Sequence, residues 1–235
     1  MEVVILAGGK GTRLQPYTTV LPKPLMPVGG RPILGIMIEQ LKRAGVKRIT
    51  MAVSHMAEII MAVFRDGEQY GLEIVYSIEP VPLGTIGPLR LIKDLPQDFL
   101  LMNGDLLTNL DYAALYRVHK ESGCLLTTSA CQREVKIDFG VLQVDLDKGT
   151  VVGFQEKPLL RLDVSMGIHA MNRGLLDKVP AGVPYGMDNL TMDMLRRNDR
   201  INIYPFSGYW LDIGRPDDFE RANREIESLE LTPTP

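Results

Sequence analysis

The order of apolar segments predicts an α/β fold, with a mostly parallel central sheet, helices on both faces and a small antiparallel part. In the first half of the chain, strand-like apolar runs alternate with segments of helical periodicity, which is the pattern of parallel βαβ units. In the second half, strand-like runs follow one another closely. Asp147-Lys148-Gly149 is typical of a tight turn between two of them, which indicates an antiparallel hairpin.

Each predicted element has its own signal in the sequence. Short apolar runs predict strands over residues 3–6, 48–53, 72–77, 98–102, 124–130, 140–145, 151–155 and 164–170. Apolar residues spaced by three or four predict helices over residues 32–44, 57–64, 86–93, 111–120, 187–196 and 216–226. Pro32 suits a first helical turn, Gly45 suits a helix stop, and Thr85 can cap the helix over 86–93.

The composition excludes several classes of protein. The 235 residues are 45% hydrophobic and 23% charged, which is typical of a globular chain, and a net charge of −3 argues against a nucleic-acid surface. No apolar run reaches the roughly 18 residues of a membrane span, and the first residues lack the basic region of a signal peptide. We expect one domain over 1–228, a frayed tail over 229–235 and a cytoplasmic protein. A homodimer is compatible with these features but not indicated by them.

The first predicted strand ends in a loop with the chemistry of a phosphate site. Gly8, Gly9 and Gly11 let the backbone approach a ligand and direct N–H groups at phosphate oxygens. Arg13 adds a planar fork that can bind two such oxygens. The Walker pattern is absent, and Leu14 replaces the third glycine of a dinucleotide fingerprint, which argues against a nicotinamide-dependent oxidoreductase. Taken alone, the loop could still be a plain tight turn.

A lysine between two prolines follows this loop. Proline fixes its own φ and favours an extended residue before it, so Lys23 in Pro22-Lys23-Pro24 is predicted to stand on a stiff, extended support. A cation held rigidly beside a phosphate loop suits a triphosphate or the pyrophosphate that leaves it.

Together these strings resemble a family signature. The family is that of the sugar-phosphate nucleotidylyltransferases (NDP-sugar pyrophosphorylases), and the resemblance is greatest to mannose-1-phosphate guanylyltransferase-like members. Its signature is similar to Leu6-Ala7-Gly8-Gly9-Lys10-Gly11-Thr12-Arg13-Leu14 followed by Pro22-Lys23-Pro24-Leu25-Met26-Pro27. The resemblance implies a Rossmann-like nucleotidyltransferase core that uses Mg²⁺. It also implies a reaction that joins a sugar 1-phosphate to a nucleoside triphosphate and releases pyrophosphate.

The resemblance implies roles for individual residues. The implied catalytic residues are Arg13, Lys23, Asp105 and Lys157. The implied nucleotide-binding residues are Leu6, Ala7, Gly8, Gly9, Gly11, Thr12, Arg13, Glu79, Gly84 and Thr85. The implied sugar-phosphate-binding residues are Gly140, Glu156, Lys157, Ser165 and Gly167.

Two carboxylates are candidates for the metal. Asp105 follows the predicted strand over 98–102, and a carboxylate at the end of a central strand is well placed for Mg²⁺, which prefers oxygen ligands. An aspartate in an ordinary turn is the alternative. Asp212 lies in Trp210-Leu211-Asp212-Ile213-Gly214, a string that resembles the family's W-x-D-x-G motif. The resemblance implies that both carboxylates bind one ion.

The nucleobase is indicated by Glu79. A carboxylate can accept hydrogen bonds from both N1–H and N2–H of guanine, whereas uracil and thymine offer one N3–H each. Glu79, with Gly84 and Thr85, therefore favours GTP. A uridylyl- or thymidylyltransferase acting on a glucose-type sugar 1-phosphate stays open, as does a solvated loop position for Glu79.

The sugar is less well defined. Glu156-Lys157-Pro158 resembles a family block in which the glutamate accepts from sugar hydroxyls and the lysine meets the phosphate. Phe139 and Ser165 stand where many relatives have Tyr and Asn, so a mannose-type sugar is the default and a heptose or deoxy sugar is open. Asp188 either reaches the same pocket or starts a helix. Two further alternatives are a non-catalytic sugar-nucleotide-binding protein and a transferase for a non-sugar acceptor such as choline phosphate.

Overall fold

The computed structural model describes residues 1–229, which contain thirteen strands and five α-helices. The strands are β1 (Glu2–Leu6), β2 (Pro27–Val28), β3 (Arg31–Pro32), β4 (Arg48–Val53), β5 (Glu73–Ile78), β6 (Asp98–Asn103), β7 (Leu106–Thr108), β8 (Leu126–Lys136), β9 (Val141–Asp145), β10 (Thr150–Gln155), β11 (Leu159–Asn172), β12 (Ile201–Phe206) and β13 (Trp210–Asp212). The helices are α1 (Ile33–Arg43), α2 (Ala57–Phe64), α3 (Tyr112–Ser122), α4 (Met187–Arg196) and α5 (Pro216–Glu225).

A seven-stranded sheet runs through the molecule in the order β12-β8-β11-β6-β1-β4-β5. β1 is parallel to β4 and β6, β4 to β5, and β12 to β8, whereas β11 is antiparallel to both of its neighbours. The predicted mostly parallel sheet is thus confirmed. Because β1, β4, β5 and β6 point the same way, the loops that follow them emerge at one edge, where ligands of such sheets bind.

Side chains of β1 point alternately into two apolar cores, one on each face of the sheet. Val3 and Ile5 belong to a core that includes buried residues of α1, α2, α3 and α5, whereas Val4 belongs to a core that includes buried residues of α4. This follows from the two-residue period of a strand. Each such apolar side chain contributes about 1.5–3 kcal/mol when it leaves water. The predicted helices on both faces are therefore confirmed.

The antiparallel part is the hairpin of β9 and β10, in which Val141 lies opposite Gln155. Its turn contains Gly149 in the left-handed region (φ 64°), and the Asp145 side chain accepts from the N–H of Lys148 at 3.1 Å. The predicted hairpin is confirmed. β8 and β11 are longer than predicted because they pair with each other for most of their length.

The segment predicted as a helix over 86–93 is instead a short 3₁₀ helix, Gly87–Leu91. The prediction that Thr85 caps it is wrong, because Ile86 holds the N-cap position and no side chain caps this helix. Two successive backbone N–H groups at its start donate instead to the carbonyl of Tyr185, at 3.0 and 3.1 Å. A tertiary contact therefore fixes this turn.

Five strands were not predicted: β2, β3, β7, β12 and β13. β12 contains Pro205, which argues against a strand in the sequence, but β12 is an edge strand, where a missing N–H is tolerated. The other four have only two or three residues each, too few to show periodicity. Of the predicted tail over 229–235, only Leu229 lies within the described residues. Within those residues, no helix has both the length and the apolar character needed to cross a bilayer.

Candidate active site

Two carboxylates meet at the edge of the sheet because β7 and β13 pair. Asp105 lies between β6 and β7, and the antiparallel register of β7 and β13 sets Asp212 opposite Leu106. The backbone N–H of Ile213 donates to the carbonyl of Asp105 at 3.1 Å. The pairing of two three-residue strands thus joins residues that are more than a hundred positions apart.

Lys23 joins this pair. Its ammonium donates to Oδ2 of Asp105 and lies 3.8 Å from Oδ1 of Asp212, and its side chain is only 10% exposed. The stiff support predicted from the flanking prolines is a 3₁₀ turn, Lys23–Leu25, rather than an extended segment. The prediction that Pro24 keeps Lys23 extended is wrong, because the N–H of Leu25 donates to the carbonyl of Pro22 and the N–H of Met26 donates to that of Lys23.

The carboxylates repel each other in a partly buried setting. Burial raises the pKa of Asp212 above its ordinary value, and the charge of Asp105 raises it further, while Lys23 and Arg13 act in the opposite direction. Oδ1 of Asp105 and Oδ1 of Asp212 are both buried, and within residues 1–229 neither has a hydrogen-bond partner. The site therefore carries more negative charge and more acceptor capacity than Lys23 satisfies.

These residues fit a divalent cation. Two unpartnered carboxylate oxygens suit Mg²⁺, which usually takes one or two carboxylates from the protein and completes its shell with water and phosphate oxygens. Among the described residues there is no cluster of three or more His, Cys, Asp or Glu that could hold a metal alone. Asp105 and Asp212 are thus a partial shell that is suited to an ion shared with a substrate.

Arg13 lies on the other side of Asp212. A Cβ added to Gly214 would lie 3.4 Å from Nη1 of Arg13, so the guanidinium passes directly over this glycine. Its charge is near enough to lower the pKa of Asp212. Arg13 is itself exposed and sits in a 3₁₀ turn, Thr12–Leu14, so its fork is accessible to a ligand.

A cavity of about 530 Å³ opens at this edge of the sheet, between the loops that follow β1, β4, β5 and β6. Its lining contains every predicted nucleotide-binding residue: Leu6, Ala7, Gly8, Gly9, Gly11, Thr12, Arg13, Glu79, Gly84 and Thr85. Lys23 and Asp105 line it as well. The volume is within the range of ordinary small-molecule sites.

Glu79 closes one end of this cavity. Its Oε1 accepts from the backbone N–H of Leu83, which ties the carboxylate to its own loop. A Cβ added to Gly8 would lie 3.4 Å from Oε2 of Glu79 and 3.1 Å from Cβ of Ser54, so a larger residue there would require its neighbours to shift. One carboxylate oxygen of Glu79 is therefore engaged by the protein.

Gly84 and Thr85 connect the loop after β5 to the start of α4. Gly84 has a φ of 82°, and a Cβ there would lie 2.8 Å from the carbonyl oxygen of Tyr185, which leaves room for glycine only. Oγ1 of Thr85 accepts from the backbone N–H of Met187 at 2.8 Å. Thr85 thus holds the first residue of α4.

A second cavity, of about 750 Å³, lies between the sheet and α4. Ser165 and Gly167 line it, as does Asp188. Asp188 also lies at the start of the helix, in the first turn of α4, where a carboxylate is favourable. It is not the N-cap, which is Gly186, whose N–H donates to the side chain of Asn189 at 2.8 Å.

The two cavities share Leu6, Thr85 and Asn103, and the metal carboxylates divide between them, with Asp105 lining the first and Asp212 the second. Two ligands, one in each cavity, would therefore meet at the carboxylate pair and Lys23.

Three residues that were predicted to bind the sugar phosphate lie elsewhere, on the β9–β10 hairpin and the turn that follows it: Gly140, Glu156 and Lys157. A Cβ added to Gly140 would lie 3.3 Å from Oε2 of Glu156, and Glu156 and Lys157 form a loose, exposed ion pair at 3.8 Å. None of the three lines either cavity. The structure brings them to one another but not to Lys23.

Several cavity residues were not singled out from the sequence. The first cavity also contains Ser54 and His55, and the second also contains Thr128 and His169. Ser54 and His55 follow directly after β4, and a rule that every parallel strand end contributes to the site would have found them. Thr128 and His169 lie within strands, where the sequence gives no signal for them.

This arrangement agrees with the family to which the chain belongs. A family model described as nucleotidyl transferase matches residues 2–228, so the protein is a member of that family. The chain is 32% identical over 251 residues to a UTP–glucose-1-phosphate uridylyltransferase of Synechocystis sp., covering 98% of this chain and 64% of that one. It is 34% identical over 227 residues to a mannose-1-phosphate guanyltransferase of Debaryomyces hansenii, covering 93% of this chain and 62% of that one.

A solved structure is also similar. HddC from Yersinia pseudotuberculosis, complexed with GMP-PN, has a TM-score of 0.72 and 26% identity, with 96% of this chain and 99% of that chain covered. The chain spans a little under two thirds of the length of the two curated relatives just described.

Proposed function

We propose that this protein transfers a nucleotidyl group from a nucleoside triphosphate to a sugar 1-phosphate and releases pyrophosphate. The observation that carries the proposal is the position of Lys23, Asp105 and Asp212 at the junction of two cavities. A phosphate-binding loop lines the cavity on one side of this junction. The names of the relatives support the same class of reaction.

In the proposed mechanism, an oxygen of the sugar 1-phosphate attacks the α-phosphorus in line, and the bond to pyrophosphate breaks. The attacking oxygen is already anionic, so no general base is needed, and the work is positioning and charge stabilisation. The loop N–H groups and Arg13 orient the triphosphate, and Lys23 stabilises charge at the reacting phosphate. Asp105 and Asp212 would hold Mg²⁺, which when bound neutralises phosphate charge.

For the nucleotide we propose GTP. Glu79 lines the first cavity, and a mannose-1-phosphate guanyltransferase and a GMP-PN complex are among the similar proteins. Oε1 of Glu79 already accepts from Leu83, so its contact with guanine rests on Oε2 and on the remaining lone pair of Oε1. The Synechocystis relative makes UTP the second candidate.

For the acceptor we propose a mannose- or heptose-type sugar 1-phosphate in the second cavity, where Ser165 and Gly167 contribute to the lining. Contacts from Gly140, Glu156 and Lys157 belong to the same proposal and stay predictions. So do the cytoplasmic location, the homodimer and a single nucleotidyltransferase domain over 1–228.

The test is a matrix of five nucleoside triphosphates against a panel of sugar 1-phosphates, with pyrophosphate release as the readout. We expect turnover that depends on Mg²⁺, with GTP and a mannose- or heptose-type phosphate as the best pair. Highest turnover with UTP or dTTP and glucose 1-phosphate would instead support the second candidate. Binding of a sugar nucleotide without pyrophosphate release from any pair would indicate a non-catalytic binding protein.

A further inference from the structure

One row of side chains crosses the floor of the second cavity. His169 of β11 lies opposite Leu101 of β6 on one side and Thr128 of β8 on the other, and Thr128 lies opposite Ile203 of β12. Residues in register across a sheet share a face, and all four line the cavity. The polar centre of this row is the pair of His169 and Thr128, between two apolar residues.

His169 is buried and only partly satisfied. The residue is 5% exposed, and Nδ1 lies 3.3 Å from Oγ1 of Thr128. Within residues 1–229 this is the one hydrogen bond of the ring, which leaves Nε2 for a ligand. Burial lowers the pKa of His169 to about 4, so the ring is neutral near pH 7 and offers one donor and one acceptor nitrogen.

The position of His169 relative to the reacting groups limits what it can contact. Its cross-strand neighbour Leu101 is two residues from Asn103, which lines both cavities. His169 therefore lies roughly 7 Å, measured along the strands, from the region that the two cavities share. Lys23 and Arg13 line the first cavity and not the second. A neutral imidazole is poorly suited to a phosphate but well suited to a hydroxyl.

The opposite wall is one face of α4. Met187 and Met192 supply apolar surface, and Asp188 supplies a carboxylate that can accept from hydroxyls. Apolar walls with a few placed polar groups are the usual design of a site for a small molecule. The cavity therefore offers a hydroxylated ligand polar contacts from the floor, where His169 lies, and from α4, where Asp188 and Thr191 lie.

We propose that His169 determines acceptor specificity by hydrogen bonding, through Nε2, to a sugar hydroxyl remote from the 1-phosphate. The proposal rests on the proposed function and names which part of the acceptor the protein reads. Thr128 is a positioning residue, because it contacts the ring and sets its orientation.

The experiment combines His169→Phe with a set of acceptor analogues, each lacking one hydroxyl of the best sugar 1-phosphate. In the wild type, removal of the contacted hydroxyl should raise KM about tenfold, because a site built to bond a hydroxyl is left unpaired. In His169→Phe, KM for the parent sugar should rise by about the same factor, and the analogue that lacks this hydroxyl should lose nothing further. KM for the nucleotide should change less than twofold.

Two variants control for structural damage. His169→Gln keeps a hydrogen-bonding group and should retain part of the preference. His119→Gln alters a second buried histidine, whose Nδ1 lies 2.9 Å from Oγ1 of Thr127, next to Thr128 in β8; His119 lines neither cavity. Its acceptor preference should equal that of the wild type.

The outcomes separate this inference from the proposed function. An equal rise in KM for the parent sugar and every analogue in His169→Phe, or no rise at all, overturns the role of His169 while turnover itself stands. If His169→Phe does not fold, the wild type and His169→Gln decide, and indifference of the wild type to every single deoxygenation overturns the proposal. Absence of both pyrophosphate release and calorimetric sugar 1-phosphate binding in the wild type overturns both.

Discussion

The two cavities, which share Leu6, Thr85 and Asn103, are built in different ways. The first is formed by loops that follow parallel strands, and the groups that suit it to a triphosphate are charges and backbone N–H groups. The second is formed by strand interiors and one helix face, and the residues at its floor are neutral or apolar. The residues of the first cavity come mostly from short contiguous strings, whereas those of the second are brought together by strand register.

The predicted residues divide along the same line. Those assigned to the nucleotide all line the first cavity. Those assigned to the sugar phosphate are split, with Ser165 and Gly167 in the second cavity and Gly140, Glu156 and Lys157 on an exposed hairpin. The following measurements test whether the two cavities and the hairpin differ in function as they differ in structure.

The largest effect is expected on kcat/KM, from the cations that line the first cavity. Lys23→Met and Arg13→Ala should each lower kcat/KM by about 10²-fold or more, about 3 kcal/mol of transition-state stabilisation, since each removes a cation from the reacting phosphates. Steady-state pyrophosphate release measures this. Lys10→Ala, an exposed cation on the same cavity, should cost no more than about fivefold. Equal losses in all three variants would argue that general positive charge, rather than position, matters.

In the second cavity, His169 should make the free energy of unfolding depend on pH. The pKa of His169 is about 4 in the folded protein and about 6.5 in the unfolded chain, so its contribution is complete above pH 6.5 and is lost as the pH falls from 6.5 to 4. The shift corresponds to about 3 kcal/mol of unfolding free energy. In urea titrations, His169→Phe should flatten the pH dependence across this window relative to the wild type. An unchanged slope would show that folding does not lower the pKa of His169.

A smaller effect is expected at the metal. Asp105→Asn removes the charge from one of the two carboxylates that have an unpartnered oxygen, so half-saturation should need about tenfold more Mg²⁺, while circular dichroism and Tm stay close to those of the wild type. The control is Asp218→Asn, which removes a negative charge that also acts on Asp212 but lines neither cavity. If both variants shift the Mg²⁺ titration equally, Asp105 acts only through its electric field and is not a ligand of the ion.

The smallest effect is expected on the hairpin. Lys157→Ala should raise KM for the sugar 1-phosphate by about fivefold and leave kcat nearly unchanged, because Lys157 is exposed and lies outside both cavities. Lys148→Ala, on the turn of the same hairpin, should have no effect. A loss for Lys157→Ala as large as that for Lys23→Met would show that the hairpin belongs to the reacting centre.

Sequence reasoning succeeded where a feature is local. The glycine loop and Arg13 lie within six consecutive residues that follow one strand, so their common cavity follows from the end of that strand. Reasoning failed where distant contacts decided: Thr85 binds the start of α4 instead of capping its own helix, and Pro205 lies in an edge strand. The joining of Asp105 and Asp212 required a family resemblance, because their spacing alone carries no such information.

The mostly parallel sheet, the glycine-rich loop after β1 and the lysine between two prolines could be read from the sequence, because hydrophobic periodicity, glycine and proline act over a few residues. The tertiary structure alone decided that β7 and β13 pair, that His169 and Thr128 stand side by side under α4, and that the hairpin with Lys157 lies apart. The physical reason is that register and packing are set by the summed burial of many side chains from distant segments, which no short window of sequence contains.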